Sequence, residues 1–547
     1  MSYLKCDVII IGAGVSGLYA AHKLSNVLGL HVVGIEKGSD AGGTWYWNRY
    51  PGVQADTDSH VYRYSGDPTV SLSWDRTARY QKGDQIRDYL QDFMKRHDLD
   101  EIFQFETTAT TAEFKEERAR WEVRTDKGQT FSARFLIGAA GVLSKPSLPS
   151  VPGLETFTGQ TIHTARWPEG MTLAGAKVAV FGTGSTGCQL IANAATEVEE
   201  MVVFQRTAQY VVPAGQRQWT DGETQHYEEY FAELWDDWRL TRLACGFEEP
   251  RTGAQDVDEK TRNEVFEKAW EEGGGFNFMF GTFSDIAFNR VSNDAAADFI
   301  KQKIKTIVTD KETAKDLTPI EPYARRPVAV DNYYETFNRD NISLVDTKRN
   351  SIRSVTPHGI TLDDGRFFEV DVIVFATGFE AVDGAYRDFD VQGRGGTNLL
   401  EHWGDAPSSY LGIATPNFPN FFTVLGPLGV FSNLPPGIEA QVDFIAEVIA
   451  IADSTEATTI EVYPDVVDRW AIESTELAQS SVFSEVKSWI FGSNIHTQSP
   501  RALFYFGGLG SYRQRLRDEI DNRLPSFQLS TPSRLAQQRE GAQHVQQ

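Results

Sequence analysis

The chain alternates short apolar runs with longer amphipathic stretches, which is the pattern of strands followed by helices. Two apolar runs lead into a glycine-rich turn and an alanine-rich segment: CDVIIIGAGVSGLYAAHKL at residues 6–24 and KVAVFGTGSTGCQLIANAA at residues 177–195. A strand, a tight turn and a helix in this order form the unit that binds dinucleotides in parallel sheets. We therefore predict an α/β fold with two Rossmann-like domains.

Both turns carry the G-x-G-x-x-G spacing. The first glycine allows the tight turn, the second lets a pyrophosphate approach the backbone, and the third lets the helix pack on the strand. The candidate residues are Gly12, Gly14 and Gly17 in the first unit, and Gly182, Gly184, Ser185, Thr186 and Gly187 in the second. An ordinary glycine-rich loop is the alternative, but the flanking strands and helices favour nucleotide binding.

The two units differ in the charge at their specificity position. Glu36 and Arg206 each lie twenty-four residues after the first glycine of their unit, at the end of the next apolar run. A carboxylate accepts hydrogen bonds from a ribose and repels a 2′-phosphate, whereas a guanidinium binds that phosphate. The first site thus fits FAD or NAD, and the second favours NADP, with Thr207 beside Arg206. Arg206 as a solvated strand end is the alternative.

Further apolar runs indicate how the domains connect. DVIVFATGFE at 371–380 resembles the return crossing of two-dinucleotide flavoproteins, and FLIGAAGVLSKPSLPSVPG at 135–153 resembles the outward crossing. We predict an NADP domain inserted into a FAD domain. The predicted segments are 1–141 (FAD domain, first part), 142–152 (linker), 153–215 (NADP domain, first part), 216–324 (helical insertion), 325–370 (NADP domain, second part), 371–525 (FAD domain, second part) and 526–547 (polar tail).

The predicted insertion contains two aromatic stretches. Large apolar residues recur in HYEEYFAELWDDWRL at the spacing of one helix face, and we interpret that face as core. These residues are Tyr227, Tyr230, Phe231, Leu234, Trp235 and Trp238. The stretch GGGFNFMFGTF at 273–283 fits a pocket wall or a buried turn equally well.

Composition excludes several classes of function. The 547 residues carry a net charge of −24, which disfavours nucleic acid and anionic membranes as partners. Three cysteines without a close pair provide neither a disulfide framework, a metal site nor a redox Cys-x-x-Cys, which removes disulfide reductases from the two-cofactor classes. The start of the chain lacks a signal-peptide pattern, so we expect a cytoplasmic protein. Oligomeric state is not encoded in any recognisable pattern.

One motif narrows the chemistry among the remaining flavoproteins. Phe157-x-Gly159-x-x-x-His163-x-x-x-Trp167-Pro168 resembles the fingerprint of single-chain, FAD- and NADPH-dependent Baeyer–Villiger monooxygenases. Related N- and S-oxygenating enzymes usually have Tyr or Phe in place of the tryptophan. The resemblance continues through 42–52, 56–62, 323–327, 333–341, 425–436 and 488–494, and it is greatest to cyclohexanone monooxygenase-like members.

The resemblance implies a reaction in which NADPH and O2 convert a ketone, expected to be cyclic and aliphatic, into a lactone or ester through a C4a-peroxyflavin. It implies that the fingerprint residues are conformational and couple the two domains, although a lone histidine such as His163 is more often a core residue. It also implies a mobile loop near 485–500. After Asn494-Ile495 this chain has His496-Thr497-Gln498 where relatives often have Pro-Gly-Lys.

Candidate residues follow from the same resemblance. Arg326 in YARRP is the expected catalytic cation and Asp56 its carboxylate partner, with Asp58 the nearby alternative; both arginines of this motif could instead be surface residues. Arg325 is expected to bind the 2′-phosphate. Further cofactor contacts are expected from Gly43, Thr44, Trp45, Tyr62 and Trp489, and a ketone pocket from Leu143, Phe278, Phe431, Ser432, Leu434 and Trp489. Leu428 and Val430, which replace the Asn and Pro frequent in relatives, make that pocket more apolar.

Three other functions share parts of this pattern. An N- or S-oxygenating flavin monooxygenase would use the same two cofactors. A flavin- or nucleotide-binding regulator would consume NADPH without responding to a substrate. An NADPH oxidase would release one hydrogen peroxide for each NADPH.

The charge difference between the two glycine units generates the first prediction. Arg206→Ala should raise the KM for NADPH about 10- to 100-fold, because a charge-assisted bidentate hydrogen bond to the 2′-phosphate is lost. NADH, which lacks that phosphate, serves as the control coenzyme in the same assay. An unchanged preference between the two coenzymes would contradict the alignment of the units.

Overall fold

The computed structural model describes residues 4–65, 78–492 and 501–531. Its frame consists of two five-stranded parallel sheets, one for each glycine unit. Parallel strands covered on both faces are expected to be continuously apolar, and the strand before each glycine turn is accordingly almost fully buried. The predicted α/β fold with two Rossmann-like domains is confirmed.

The first segment contains nine strands and three α-helices among its described residues. The strands are β1 (Leu4–Lys5), β2 (Val8–Ile11), β3 (Val32–Ile35), β4 (Phe103–Gln104), β5 (Ala109–Lys115), β6 (Arg120–Thr125), β7 (Thr130–Ala133), β8 (Phe135–Gly138) and β9 (Lys145–Pro146). The helices are α1 (Val15–Ala21), which continues as a π-helix (His22–Val27), α2 (Thr44–Trp47) and α3 (Gly83–Arg96).

The second segment runs from the fingerprint to the return crossing. Its strands are β10 (Gln160–His163), β11 (Lys177–Phe181), β12 (Glu200–Gln205), β13 (Val211–Val212), β14 (Val328–Ala329), β15 (Ile342–Asp346), β16 (Ile352–Thr356), β17 (Gly359–Leu362), β18 (Phe367–Glu369) and β19 (Val372–Phe375). Its helices are α4 (Ser185–Ala194), α5 (Asp221–Glu229), α6 (Phe231–Trp238), α7 (Glu259–Glu272), a π-helix (Asn277–Gly281), α8 (Arg290–Ile307), α9 (Lys311–Leu317) and α10 (Tyr333–Thr336). The stretch between β13 and β14 is thus helical.

The third segment returns to the first domain. Its strands are β20 (Phe379–Glu380), β21 (Asp390–Gln392), β22 (Phe421–Thr423), β23 (Gly429–Val430), β24 (Thr459–Val462), β25 (Phe504–Tyr505) and β26 (Phe527–Ser530). Its helices are α11 (Leu399–Trp403), α12 (Leu434–Ser454), α13 (Pro464–Gln479) and α14 (Leu509–Asp521). Short 3-10 turns lie at Leu154–Thr156, Thr164–Arg166, Val382–Tyr386, Arg394–Gly396, Val482–Glu485 and Trp489–Phe491. Among the described residues, no helix is both long and apolar enough to cross a bilayer.

The strand orders show which parts of the chain share a sheet. The first parallel sheet has the order β22-β8-β2-β3-β4, so the third segment supplies one edge strand to the domain built by the first. The second has the order β10-β19-β11-β12-β15. A further sheet, β1-β7-β6-β5-β21, also joins the first and third segments, with β21 parallel to β5.

The predicted domain boundary after residue 370 is wrong by one strand. β19 lies between β10 and β11 and pairs in parallel with both, so it is an inner strand of the second sheet. The return to the first domain therefore begins after Phe375. An apolar run identifies a buried strand, but it does not identify the sheet that receives the strand.

Two other expectations need correction. The predicted polar tail begins with an ordered strand, because β26 pairs antiparallel with β24; residues 532–547 lie outside the described residues.

The aromatic stripe from Tyr227 to Trp238 is not one helix, since α5 ends before Tyr230, which has φ −111° and ψ 26°, and α6 begins after it. Tyr230 is exposed, whereas Tyr227, Phe231 and Trp235 are buried together as predicted.

Both glycine turns have the same backbone geometry. Gly12 and Gly182 have φ of 107° and 106°, which favours glycine at both positions. A Cβ atom on Gly17 would lie 1.8 Å from the carbonyl oxygen of Gly12, and one on Gly187 would lie 2.1 Å from that of Gly182. Each helix thus rests directly on the turn that precedes it.

This close contact generates a prediction for the first unit. Gly17→Ala should force α1 away from the turn, lower the free energy of unfolding by about 1–3 kcal/mol and reduce FAD content. Flavin absorbance per chain and thermal unfolding measure both effects. Gly222→Ala is the matched control, because outside its chain neighbours and the backbone of its own helix no described atom lies within 4 Å of its added Cβ. Equal FAD loss in both variants would contradict the argument.

Candidate active site

Arg326 and Asp56 form a bidentate ion pair where the domains meet. Arg326 precedes β14 and Asp56 lies between α2 and α3, yet Nη2 of Arg326 donates to Oδ1 of Asp56 at 2.7 Å and Nη1 donates to Oδ2. Nη1 also lies 3.4 Å from Oγ of Ser185 at the start of α4. The ring of Phe276, from the helical insertion, lies 5.1 Å from the guanidinium carbon. The pair therefore touches both sheet domains and the insertion.

The electrostatic environment keeps this arginine charged. Burial opposes the charged guanidinium, but Asp56 outweighs burial and raises the pKa of Arg326. Burial raises the pKa of Tyr62 to about 12, with Asp56 adding to the effect and Arg326 opposing it. Burial followed by Asp56 and Asp58 also raises the pKa of Cys245. The charges of the pair are thus flanked by a phenol and a thiol that stay neutral.

The alternative carboxylate, Asp58, has a different partner. Its Oδ1 accepts a hydrogen bond of 3.1 Å from Nε of Arg79, and Arg79 Nη1 donates to the carbonyl oxygen of Glu272 at 2.6 Å. Burial raises the pKa of Asp58 despite Arg79. Asp58 therefore ties the first domain to the end of α7 and does not contact Arg326.

The first glycine turn fits a flavin dinucleotide. Among the described side chains, none caps the N-terminus of α1 at Gly14, which leaves its amides available to a pyrophosphate. Gly14 and Gly43 come so close that a Cβ on Gly43 would lie 2.7 Å from Cα of Gly14. Glu36 is buried at the end of β3, where it accepts hydrogen bonds from the amides of Ala13 and Gly38. These bonds fix the carboxylate beside the turn.

Two aromatic residues expected to contact FAD, Trp45 and Tyr62, pack against each other beyond Gly43. Trp45 is buried on α2 and packs edge-on against Tyr62, with 5.7 Å between the ring centroids. Thr44 is exposed at the start of the same helix. Tyr62 in turn lies within electrostatic range of Asp56 and Arg326, so the predicted flavin contacts border the ion pair.

The second glycine turn fits NADP. No described atom would lie within 4 Å of a Cβ on Gly184, and no described side chain caps α4 there. Arg206 is exposed at the end of β12, and the next residue, Thr207, accepts a hydrogen bond from Thr183 through its carbonyl oxygen. Burial lowers the pKa of Arg325; Glu321 opposes this effect and the like charge of Arg206 adds to it. A dianionic 2′-phosphate would relieve that repulsion.

Two of the predicted ketone-pocket residues, Phe431 and Trp489, share an aromatic neighbour. Phe431 and Trp489 both pack edge-on against Phe504, at centroid distances of 5.9 and 5.7 Å. Leu434 is 39% exposed at the start of α12, and Leu143 is partly buried after β8. Ser432 Oγ donates to the carbonyl oxygen of Asn433, so this hydroxyl is engaged within its own loop.

Phe278 lies apart from the ion pair. It is fully buried and stacks on Phe266, inside the core of the insertion. Phe276, two residues earlier, contacts Arg326. The sequence did not identify Phe276 as a site residue. Phe276 stacks on Phe280, Phe280 on Phe483, and Phe483 packs against Phe431. A row of rings thus connects Arg326 with the loop that carries Phe431.

The beginning of the predicted mobile loop contacts Arg325. Nε and Nη2 of Arg325 donate to the carbonyl oxygen of Lys487 at 3.3 and 3.2 Å, and Nη2 also pairs with Glu321. Trp489 follows in a 3-10 turn. Residues 493–500, including the altered stretch after Asn494, lie outside the described residues.

The fingerprint histidine joins two crossings of the chain. Nδ1 of His163 accepts a hydrogen bond from the amide of Ala165 at 3.1 Å, so Nε2 carries the proton that it donates to the carbonyl oxygen of Gly378 at 3.2 Å. Gly378 lies on the return crossing. Gly159 fits beneath Phe157, since an added Cβ would lie 2.6 Å from the Phe157 ring. The motif therefore links the outward path to the return path.

The fingerprint also contacts the first domain through residues that sequence reasoning missed. Arg166 lies over the ring of Trp47, with its guanidinium carbon 4.7 Å from the centroid, and Glu169 pairs with Arg49 at 3.5 Å. Trp167 is buried and donates through Nε1 to the carbonyl oxygen of Met171; Pro168 follows it. Arginine–aromatic contacts across domains have no recognisable spacing in a sequence.

Comparison with known proteins identifies the family. Residues 5–223 match the family model described as flavin-binding monooxygenase-like. The chain is 48% identical over 528 residues to the phenazine N-monooxygenase of Lysobacter antibioticus, covering 96% of this chain and 98% of that protein. It is 44% identical over 510 residues to a Baeyer–Villiger monooxygenase of Pseudooceanicola batsensis, covering 93% and 94%. The chain belongs to the Baeyer–Villiger monooxygenase family.

The fold of this monooxygenase matches a solved structure along its whole length. Cyclohexanone monooxygenase from Rhodococcus sp. Phi1, solved with NADP+, is 46% identical and superposes with a TM-score of 0.96, covering 97% of this chain and 100% of that chain. The predicted cofactors, FAD and NADPH, are those of this family, and the glycine turns described above fit both. The expected enzyme class, an NADPH-dependent FAD monooxygenase, is confirmed.

The hydrogen bonds of His163 generate a pH prediction. Burial lowers the pKa of His163 to about 4, although the bond to Gly378 opposes this effect. An unfolded histidine has a pKa near 6.5, so the neutral ring stabilises the fold above that pH, and this stabilisation is lost as the pH falls from about 6.5 towards 4. His163→Gln should therefore flatten the pH dependence of unfolding in this window by up to ~3 kcal/mol.

Denaturant titrations between pH 4.5 and 7.5 measure this effect as the difference between wild type and variant. The same substitution at His358, which is exposed, is the control for loss of a histidine. A gap between wild type and His163→Gln that stays constant with pH would contradict the proposed protonation state.

Proposed function

We propose that this monooxygenase converts ketones into esters or lactones at the Arg326–Asp56 pair. In the balanced reaction, ketone, NADPH, O2 and a proton give ester, NADP+ and water. FAD, when bound, takes a hydride from NADPH and activates O2. The supporting observation is the bidentate ion pair, which holds a permanent cation between the two dinucleotide sites.

A fixed cation suits nucleophilic oxygen transfer to a carbonyl. The attacking oxygen and the carbonyl oxygen both carry negative charge during that step, and a cation in a water-poor site stabilises such charge strongly. Arg326 is well suited because Asp56 fixes the guanidinium plane and Phe276 covers it. Asp56 accepts from both Nη1 and Nη2 of Arg326. This bidentate contact fixes the guanidinium plane, and with it the directions of the N–H groups of Arg326 that Asp56 does not bind.

The second dinucleotide site is expected to hold NADPH against the same pair. Arg206 and Arg325 supply positive charge for the 2′-phosphate, and the free N-terminus of α4 suits the pyrophosphate. Ser185, the first residue of α4, is also the residue that contacts Arg326. A dinucleotide on α4 would thus lie next to the reaction centre.

The substrate is expected to be a small ketone. A cyclohexanone monooxygenase solved with cyclohexanone is 43% identical to this chain, covers 97% of it and 100% of its own chain, and superposes with a TM-score of 0.92. Leu428, just before β23, and Val430, at the end of β23, are buried directly before Phe431, and they make the surroundings of this loop apolar. A cyclic aliphatic ketone matches such a surface.

The second candidate is oxygen transfer to an aromatic nitrogen. It is favoured by the 48% identity to a phenazine N-monooxygenase, and the row of rings from Phe276 to Phe431 would suit a flat heteroarene. A ring nitrogen donates its lone pair, so the transferred oxygen must act as an electrophile. That step gains less from a neighbouring cation than attack on a carbonyl does.

Product identification distinguishes the two candidates. Purified enzyme is supplied with NADPH, 18O2 and, separately, cyclohexanone, an aryl ketone or phenazine. Labelled lactone or ester supports the proposal, whereas labelled N-oxide with no ester would replace it by the second candidate. NADPH consumption with one equivalent of hydrogen peroxide and no labelled organic product would contradict both.

Adjacent arginines provide a matched test of the reaction centre. Arg326→Ala should retain FAD but lower ketone oxygenation at least about 100-fold, because the stabilising cation is lost while NADPH is still oxidised. Arg326→Lys keeps a charge without the bidentate geometry and should recover only part of the activity. Arg325→Ala should instead raise the KM for NADPH. Product formation and hydrogen peroxide release are measured together, and ester formation at the wild-type rate in Arg326→Ala would refute the role.

A further inference from the structure

Asn433 joins three segments that surround the reaction centre. It is 5% exposed at the start of α12. Its Nδ2 donates to the carbonyl oxygen of Val61 at 2.7 Å and to that of Ala244 at 3.0 Å, while its backbone amide donates to the carbonyl oxygen of Leu243 at 2.8 Å. One residue thus connects the first domain, the helical insertion and the loop that carries Phe431.

Both side-chain acceptors lie directly before residues that face the ion pair. Tyr62 follows Val61, and Cys245 follows Ala244; Asp56 and Arg326 act electrostatically on both of these side chains. The two segments also touch each other, since a Cβ on Gly246 would lie 3.1 Å from Val61 Cγ1. A shift at Asn433 would therefore move two walls of the reaction centre.

Asn433 does not cap the helix that it precedes. An asparagine before a helix normally accepts hydrogen bonds from the first-turn amides, as Asn398 does for α11 and Asn289 does for α8. Asn433 makes no such cap on α12, because Pro435 and Pro436 occupy the positions whose amides a cap would bind and proline has no N–H. No described residue donates to its buried Oδ1, and an unsatisfied buried acceptor costs about 1–3 kcal/mol. Helix capping therefore does not account for the buried amide of Asn433.

We propose that Asn433 is a positioning residue that sets the distance between the substrate loop and the Arg326–Asp56 pair. The proposal rests on the pair being the reaction centre, as argued above. The loop residues Phe431 and Ser432 precede Asn433, and Leu434 follows it. Because its amide holds Val61 and Ala244, the loop is fixed against both walls at once. Displacement of reacting groups by about 1 Å costs up to about 100-fold in rate.

Asn433→Asp tests the proposal, since it keeps the volume but removes both N–H donors; Asn433→Ala removes the side chain. Either variant should release several times more hydrogen peroxide per NADPH and lower the oxygenation kcat about tenfold. Anaerobic reduction of FAD by NADPH should change less than about twofold, because the glycine turns and the 2′-phosphate arginines are untouched. Coupling is measured with whichever substrate the wild-type enzyme oxygenates, ketone or heteroarene.

Asn420→Asp is the matched control. Asn420 is equally buried, donates through Nδ2 to the carbonyl oxygen of Thr458 at 2.9 Å and accepts from the amide of Ile460. It lies beside β22, in a different part of the chain from the ion pair. This control should lower the unfolding temperature without changing the fraction of hydrogen peroxide released. Equal uncoupling in both variants would reduce Asn433 to a structural residue and overturn the proposal.

Hydrogen exchange gives a readout that does not depend on turnover. In the full-length, FAD-bound protein, Asn433→Asp should speed amide exchange about tenfold or more in residues 59–62 and 243–246, and should leave β11 and β12 unchanged. Unchanged exchange in both segments would overturn the proposal even if no substrate were oxygenated. Failure of the proposed ketone chemistry alone would alter the product, but not this exchange pattern.

Discussion

A bidentate ion pair at a junction of domains constrains the whole molecule. Arg326 and Asp56 are 270 residues apart in the chain, and their geometry requires the loop after α2, the entry to β14 and the first residue of α4 to meet within a few ångströms. Coulomb attraction alone does not specify an orientation, and removing two charges from water is costly. The surrounding fold must therefore hold the pair with contacts that are short-ranged and directional.

Neutral contacts provide that precision. Tyr50 donates to Oε1 of Gln189 on α4, and Gln189 donates back to the carbonyl oxygen of Gln54. Gly52 leaves room for Asn193, since an added Cβ would lie 2.3 Å from Nδ2 of that side chain. The segment that carries Asp56 is thus fitted to the helix that carries Ser185 before any charge is considered. Between the outward and the return crossing, the neutral ring of His163 likewise provides a directional hydrogen bond, to the carbonyl oxygen of Gly378.

The features of the two nucleotide sites that depend on short-range spacing could be predicted from the sequence. The glycine positions and the opposite charges of Glu36 and Arg206 follow from local patterns, whereas the Arg326–Asp56 partnership, which joins residues 270 positions apart, came only from the family resemblance. Phe278 was assigned to the pocket by the family resemblance, and spacing could not point to Phe276 instead, because the chain forms a π-helix from Asn277, in which the 3.6-residue period no longer assigns faces. Spacing also misplaced β19, an inner strand of the second sheet that lies far along the chain from its neighbours. Contacts such as Arg166 on Trp47 depend on tertiary packing alone.

The proposed reaction centre occupies a small part of this framework. A relative named as a cyclohexanone monooxygenase and one named as a phenazine N-monooxygenase both align with more than nine-tenths of the chain, so the cofactor frame by itself does not select the reaction. Arg326 is held charged, because Asp56 outweighs burial and raises its pKa, and the adjoining Tyr62 and Cys245 have pKa values raised by burial. In the proposed site, selection would then arise where substrate meets that charge, at Phe276 and the loop around Phe431. These segments come from the insertion and the third segment, so the choice of reaction depends on how accurately separate parts of the chain are held together.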